Sequence, residues 1–275
     1  MNWSGAKNWL IVLFVAINIF LVITIVKSDM QSSVIEDKTI QSTVNILRQS
    51  DIFIDAKTIP TKMPKLGAID VENSISDFDV FAEKILGESY IKESNTHYYL
   101  GTKSLVLSGD MISYTDSAPH DNIEQLKAST AQKYVSSWLS ARGFETEVLG
   151  SYAYESDGGY LVRIEQKFDK YALLDSYFEV FVTSKGVTKL SGSWFVPSSG
   201  QNFFSNDAAR VKSIISVLLD FARDNVRINR GSNNIVEIDL GYTTGDKNTY
   251  HKYATAVPVW RIRCSDKNEY FYEAR

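Results

Sequence analysis

The sequence predicts an α+β protein: one N-terminal transmembrane helix followed by a domain of helix-plus-antiparallel-meander units. Three observations carry this expectation. Residues 9–26 form an uncharged stretch, WLIVLFVAINIFLVITIV. Beyond it, apolar residues at helical spacing recur in three segments. Each segment leads into short alternating runs rich in Tyr, Phe and Val, parted by turns containing Gly or Asp, which is the pattern of hairpins. Runs of strands each led by a helix argue for antiparallel sheet, whereas a doubly wound fold would alternate single strands with helices.

The uncharged stretch has 18 residues, is interrupted only by Asn18 and Thr24, and lies between Lys7 and Lys27. As a helix it runs about 27 Å, against about 30 Å for the hydrocarbon core of a bilayer. A cleavable secretory leader has a shorter apolar stretch and small residues at its cut site. Here Val26-Lys27-Ser28 puts a lysine inside that site, and no cysteine follows for lipid attachment, so a retained anchor at the cell membrane is expected. Positive charge is nearly balanced across it, Lys7 and the α-amino group on one side, Lys27 and Lys38 on the other. Long domains translocate largely regardless of charge, so the expected arrangement is a short cytoplasmic N-terminus (1–8) and an extracellular C-terminal domain. Asn18 places a side-chain amide where lipid offers no water. It is expected to bond a partner's helix, with Phe14, Val15, Leu21 and Val22 as the contact stripe around it; the alternative is a bond to its own backbone.

Residues 27–60 read as a stalk and lead-in, and 61–275 as the extracellular α+β domain, with units at about 74–120, 121–200 and 205–275. In the lead-in, Val34, Ile35, Ile40, Val44, Ile46 and Leu47 have an imperfect helical spacing, which continues the membrane helix until Pro60 and Pro64 break it. In the first unit a helix is expected from about Ser76 to Leu86, burying Phe78, Phe81, Ala82, Ile85 and Leu86 and stopping at Gly87. Strands follow at 98–100 and 104–107. The second unit opens with Asn122 and Gln125 as a candidate capping box. Ala131, Tyr134, Val135, Trp138 and Leu139 then line a helix that Gly143 ends. Two hairpins follow, 152–154 with 160–164 and 177–182 with 187–194. The third unit opens with a helix over 207–223, capped by Ser205 or Asn206, with Ala208, Val211, Ile214, Ile215, Leu218 and Ala222 turned inward. Strands at 235–242, 256–264 and 269–274 close the chain.

Composition narrows the function. The chain has 29 basic and 33 acidic residues, a net charge of −4; without the two lysines that flank the anchor the remainder stands at −6. Such a domain lacks the electrostatic footprint of a nucleic-acid binder and is repelled by an anionic lipid face. With 44% apolar and 12% aromatic residues it can bury a core. Its single cysteine, Cys264, permits no intrachain disulfide. His97, His120 and His251 lie at no metal-ligand spacing, and the nucleophile-elbow, phosphate-loop and dinucleotide fingerprints are missing. No catalytic, cofactor-binding or metal-binding residue is assigned, and a non-enzyme is expected. Asp77 with Asp79, or Asp169 with Asp175, could be written as acid–base pairs; solvated helix and loop edges are the reading preferred. In the run from Pro258 to Cys264, Pro258, Trp260, Ile262 and Cys264 share one face, with Val259, Arg261 and Arg263 on the other. Cys264 in phase with Trp260 reads as packing rather than as a reactive thiol. The strand tyrosines read as cross-strand pairs.

Two segments carry a family resemblance. Asn2-Trp3-Ser4 and Lys7, with Asn18-Ile19-Phe20-Leu21 in the anchor, resemble the start of the YycI (WalI) family. Val257-Pro258-Val259-Trp260-Arg261-Ile262, followed by Tyr270-Phe271-Tyr272-Glu273-Ala274, resembles that family's closing strand pair. The resemblance spans the chain, though residues 28–120 match only in outline. It implies a single-span accessory protein of Gram-positive bacteria whose soluble domain lies outside the membrane. It further implies association with a similar protein, YycH, and with a WalK-type sensor histidine kinase, whose control of cell-wall metabolism it modulates. The family brings no catalytic residues or cofactor, and its anchor is the part implicated in kinase contact. Two other functions compete: a membrane-tethered binding module, such as a protease inhibitor or chaperone using a strand edge hinted at by Pro258, and a tethered hydrolase, which the missing motifs disfavour.

Overall fold

The computed structural model of the chain describes residues 3–31, 34–75, 77–144, 151–198, 208–228, 233–245 and 249–275. The leading helix, α1 (Trp3–Gln31), is 29 residues long. Its described side chains are exposed and none joins a core. Among the described residues no helix is long and apolar enough to cross a membrane; the side chains at 3–6, 8, 10, 12 and 25–31 lie outside that description.

The order along the chain is α2 (Asp37–Gln49), β1 (Lys65–Leu66), β2 (Ile69–Asn73), α3 (Phe78–Leu86), β3 (Ile91–Lys92), β4 (His97–Leu100), β5 (Lys103–Ser108) and β6 (Met111–Asp116). There follow α4 (Ala128–Ser140), β7 (Ser151–Ser156), β8 (Gly159–Phe168), β9 (Tyr171–Thr183), β10 (Gly186–Ser193) and β11 (Phe195–Pro197). β12 (Ala209–Arg210), α5 (Ile214–Ile228), β13 (Ile235–Thr243), β14 (Tyr253–Cys264) and β15 (Glu269–Glu273) complete it. Thirteen strands form one sheet with the path β11-β2-β14-β13-β9-β10-β6-β5-β4-β3. β15 adds to β14, and β8 and β7 add to β9 in turn, while β1 and β12 pair separately. Every pairing is antiparallel except that of β13 with β9. Both expected hairpins form, β7 with β8 and β9 with β10.

Two large cores flank this sheet, beside a small cluster of Ala172, Leu174 and Val259. One takes Ile75 to Trp194, with α3 and α4 on β4–β6 and β8–β10. α3 presents Phe81, Ala82, Ile85 and Leu86 to it; Asp77 caps the helix by accepting from the Asp79 and Val80 amides, and Gly87 at φ +107° ends it. Phe178 and Trp194 stack at 4.8 Å in its centre. The other core joins Ile35, Ile40, Val44 and Leu47 to Val217, Leu218 and Phe221 of α5 and to Trp260 and Ile262 of β14. Each such large apolar side chain contributes about 1.5–3 kcal/mol on burial.

Several expectations are corrected here. Residues 35–59 are not a stalk: Glu36 is extended, α2 is a separate helix, and its face of Ile40, Thr43, Val44 and Leu47 is buried against the far end of the chain. The three consecutive units are likewise two: the first two share one core, and the third closes on the lead-in. The residue periodicity marks a buried face but not what covers it. α4 begins at Ala128 after Lys127, with no side-chain cap. Gln125 instead sits at φ +51°, outside the helix, so Asn122 and Gln125 form no capping box. α5 begins at Ile214, where Ser213 Oγ accepts from the Ile215 amide. Residues 209–210 are diverted into a bridge with β1, and Val211 is buried outside the helix. The caps expected at Ser205 and Asn206 lie outside the described residues. Pro258 marks no outer sheet edge. Its carbonyl accepts from the Ala274 amide, so its missing N–H points to the same side, where β2 ends and β15 begins. That gap lets a central strand tolerate proline.

Trp260 is 1% exposed and donates from Nε1 to the Lys212 carbonyl at 2.9 Å; Cys264 is 2% exposed on the same face. Trp260→Ala should cost about 3–5 kcal/mol in denaturant unfolding, and Cys264 should resist a thiol reagent until denaturant is added. Rapid native labelling would refute this packing. The carboxyl of Asp79 is held below the usual range by Lys92 at 2.8 Å and then by Tyr98, and that of Asp220 by Lys212 at 2.6 Å. A depressed carboxyl adds stability above its unfolded pKa and loses it as pH falls through the folded value. Stability should therefore decline in acid below about pH 4, and the double variant Asp79→Asn/Asp220→Asn should flatten that decline.

Candidate functional site

α1 supplies the first candidate surface. Phe14, Val15, Asn18, Leu21 and Val22 lie three or four residues apart and form one stripe, all exposed. Asn18 donates from Nδ2 to the Phe14 carbonyl at 2.8 Å, and Thr24 does the same to Phe20 at 2.9 Å. The backbone bond expected as the alternative for Asn18 is thus formed. It uses one amide hydrogen; the second hydrogen and the two lone pairs of Oδ1 can still serve a neighbouring helix.

The candidate acids have structural work. Asp77 caps α3, and Asp79 pairs with Lys92 and Tyr98. Asp169 is exposed in the β8–β9 turn, as expected. Asp175 is not a solvated edge: it is 4% exposed, and its Oδ2 accepts from Thr243 Oγ1 at 2.9 Å, Thr244 N at 2.5 Å and Thr244 Oγ1 at 2.7 Å. These bonds fasten the end of β13 to β9.

Two histidines have carboxylate partners: His97 a glutamate four residues before it, His251 an aspartate that only the fold brings near. His251 Nδ1 lies 2.9 Å from Asp110 Oδ2, while Asp110 Oδ1 accepts from the His251 amide and from Asn73. Asp110 is 1% exposed, and the cluster ties β2 to the β5–β6 turn. His97 lies between Glu93 (2.5 Å) and Ser104 Oγ (3.0 Å), an acid–imidazole–hydroxyl line. It sits on a half-exposed surface. Ser104 is in β5, which is paired on both sides by β4 and β6, so the strand's amides serve the ladder rather than an oxyanion. His120 is exposed. Among the described residues no group of three or more His, Cys, Asp or Glu could hold a metal.

The electrostatic centre lies on the face of β14 opposite Trp260 and Cys264. Arg261 is 3% exposed, and its Nη1 bonds Glu165 Oε1 at 2.9 Å, a carboxylate also 3% exposed. Its Nη2 bonds Asp239 at 2.8 Å, and Nη1 lies 3.5 Å from Glu269. Arg163 reaches Glu165 at 3.0 Å and Glu179 at 3.4 Å, and covers the Tyr177 ring at 3.8 Å. Arg263 pairs with Glu237. Burial alone would lower the Arg261 pKa; the Glu165 and Asp239 carboxylates outweigh it and raise it, so the guanidinium stays charged. Burial, then the charge of Asp239, pushes Glu237 up. The signal was present in the sequence as charges two residues apart in three strands: Arg163 and Glu165, Glu237 and Asp239, Arg261 and Arg263. Which strands lay side by side was not.

Removing one partner of a buried pair leaves an uncompensated charge and costs about 3–5 kcal/mol, whereas replacing both by apolar residues costs less. Arg261→Met should therefore destabilise more than Arg261→Met/Glu165→Leu. Equilibrium unfolding of the double-mutant cycle measures this; additive losses would show the pair to be uncoupled, and a double-variant loss no smaller than that of Arg261→Met would refute the expectation.

Comparison with known proteins places this fold. No curated protein matches the chain. A family model described as YycI protein matches residues 30–275, which takes in α2, both cores and the charged seam. The chain therefore belongs to the YycI family, accessory regulators of the YycFG (WalKR) two-component kinase system.

Proposed function

We propose that the chain is a non-enzymatic regulator held at the cell membrane by α1, with its domain outside. It associates there with a YycH-like protein and modulates a WalK-type sensor histidine kinase that controls cell-wall metabolism. One observation carries this reading: a helix apolar on all sides over residues 9–26, whose described side chains are exposed and packed on neither core. A helix with no polar face is stable when lipid or other helices surround it. Family membership supports the kinase system as the target. His97, His251, Asp77, Asp79 and Asp175 serve caps, latches and ion pairs, which supports regulation by contact rather than by chemistry.

Regulation requires that the protein bind the kinase's signalling states unequally, since equal affinity shifts nothing. The α1 stripe around Asn18 is the proposed point of contact. Asn18→Leu should leave insertion intact and weaken association with a partner's membrane helix by about 1 kcal/mol. Replacing residues 9–26 by an unrelated span should reduce regulation further, because Phe14, Val15, Leu21 and Val22 are lost with it. The measurements are kinase output and in-membrane crosslinking at matched expression, with protease digestion of intact protoplasts reporting orientation. Full regulation with an unrelated span would make the anchor a mere tether, and a domain protected from external protease would reverse the topology.

A further inference from the structure

A cavity of about 630 Å³ opens beside β13, within the size range of ligand sites. Ile238, Asp239 and Leu240 all border it. Successive side chains of a strand point to opposite faces, so what borders the cavity is the edge of β13. That edge is free for a structural reason. β13 pairs with β14 along its length, but on its other side it meets β9 only at Gly241 and Tyr242. β9 begins at Tyr171, paired with Phe168 across the hairpin turn, so β13 overhangs the turn. Towards its start, β13 is covered by Phe53, which accepts from the Ile235 amide. The turn Ala56–Thr58 that follows Phe53 also lies beside β13. Residues 238–240 lie between these covers and border the cavity, and no strand pairs with that side of them among the described residues.

The opposite wall cannot fill the gap. It is the segment 60–64, where Pro60 and Pro64 have no N–H to offer. The Thr61 and Pro64 carbonyls are turned away, to the Ile35 and Val211 amides. The cavity is therefore a slot bounded by one strand edge that can accept a partner and one wall that cannot supply it. Met63, Tyr171, Leu240 and Trp260 give it an apolar floor. Lys62 and Lys170 stand exposed at its rim, without an ion pair among the described residues and with Lys170 over the Tyr171 ring, in a domain that is otherwise acidic, while Asp239 is already engaged by Arg261.

We propose that this slot is a peptide-docking site, which takes an extended acidic segment of a partner protein as an added strand on the free edge of β13. Backbone bonds to β13 give the affinity, alternate apolar side chains enter the floor, and the acidic ones meet Lys62 and Lys170. The site deepens the regulator reading by naming a second contact, in the domain rather than the anchor. It does not depend on the kinase, so its test is separate.

The probe is a fluorescein-labelled, end-capped peptide of alternating Glu and Val, titrated by anisotropy into the full-length chain held in phosphatidylcholine nanodiscs. It should bind saturably and at least about tenfold more tightly than the Lys/Val peptide. N-methylation at alternate residues, which removes backbone donors but keeps the side chains, should weaken it at least about tenfold. The double variant Lys62→Glu/Lys170→Glu should reverse the preference towards the Lys/Val peptide. The proposal is overturned by no saturable binding of the acidic peptide, by N-methylation without effect, or by an unchanged charge preference in the double variant. Saturable oleate binding in the slot, with no peptide binding, would overturn it in favour of a lipid. Loss of peptide binding with intact kinase regulation would sink the docking site alone; intact peptide binding with no effect of the protein on the kinase would sink the regulator reading alone.

Discussion

The rest of the fold depends on β9 belonging to both cores. Its second half, from Tyr177, pairs with β10 and faces the core of α3 and α4; its first half pairs with β13 and faces the core of α2 and α5. The change of neighbour takes place at Asp175 and Ser176, where a strand edge passes from one partner to another and leaves polar groups buried. Asp175 meets Thr243 and Thr244 there, Ser193 Oγ donates to the Asp175 carbonyl, and Ser176 Oγ accepts from the Phe195 amide. Buried polar groups are tolerable only when bonded in this way. Gly241 completes the junction, since a Cβ there would meet the Ala172 carbonyl at 2.6 Å; the parallel contact exists because that side chain is missing.

The charged seam follows from the same junction. Once β13 and β14 join the sheet beside β9, their outward residues approach those of β8, and Arg261 and Glu165 lose their water together. Such a pair adds little net stability, because desolvation offsets much of its attraction. Its contribution is to orientation: wrong pairings of the two half-sheets would bury unmatched charge. The overhang of β13 is a consequence too. A parallel contact of only two residues secures the junction and leaves the start of the strand beyond the hairpin turn, which is where the slot forms.

These constraints divide the molecule. Several titratable groups in the domain help to hold it together, as the Asp77 cap, the Asp110 and Asp175 latches and the seam of Arg261 and Glu165. The two proposed contact surfaces are the flank of α1 and the edge of β13 with its two lysines.

The sequence by itself determined the elements whose signal is local. The faces of α3 and α4, the Gly87 stop, the two hairpins and the burial of Trp260 with Cys264 follow from periodicity and turn chemistry over a few residues. So does the uncharged run of α1, and the end motifs that resemble YycI. Only the tertiary structure decided what depends on neighbours far along the chain. The lead-in helix α2 looked like a stalk because its stripe is imperfect, and it is buried because α5, far along the chain, supplies the other half of a core. Asn122 and Gln125 have the composition of a cap, but the chain turns at Gln125 before the helix begins. Arg261 alternates with core residues along β14, and its burial shows only in the fold, because β8 carries Glu165 to it. The free edge of β13 has no sequence signal, since an edge is the lack of a neighbour and strand order is set by the whole sheet.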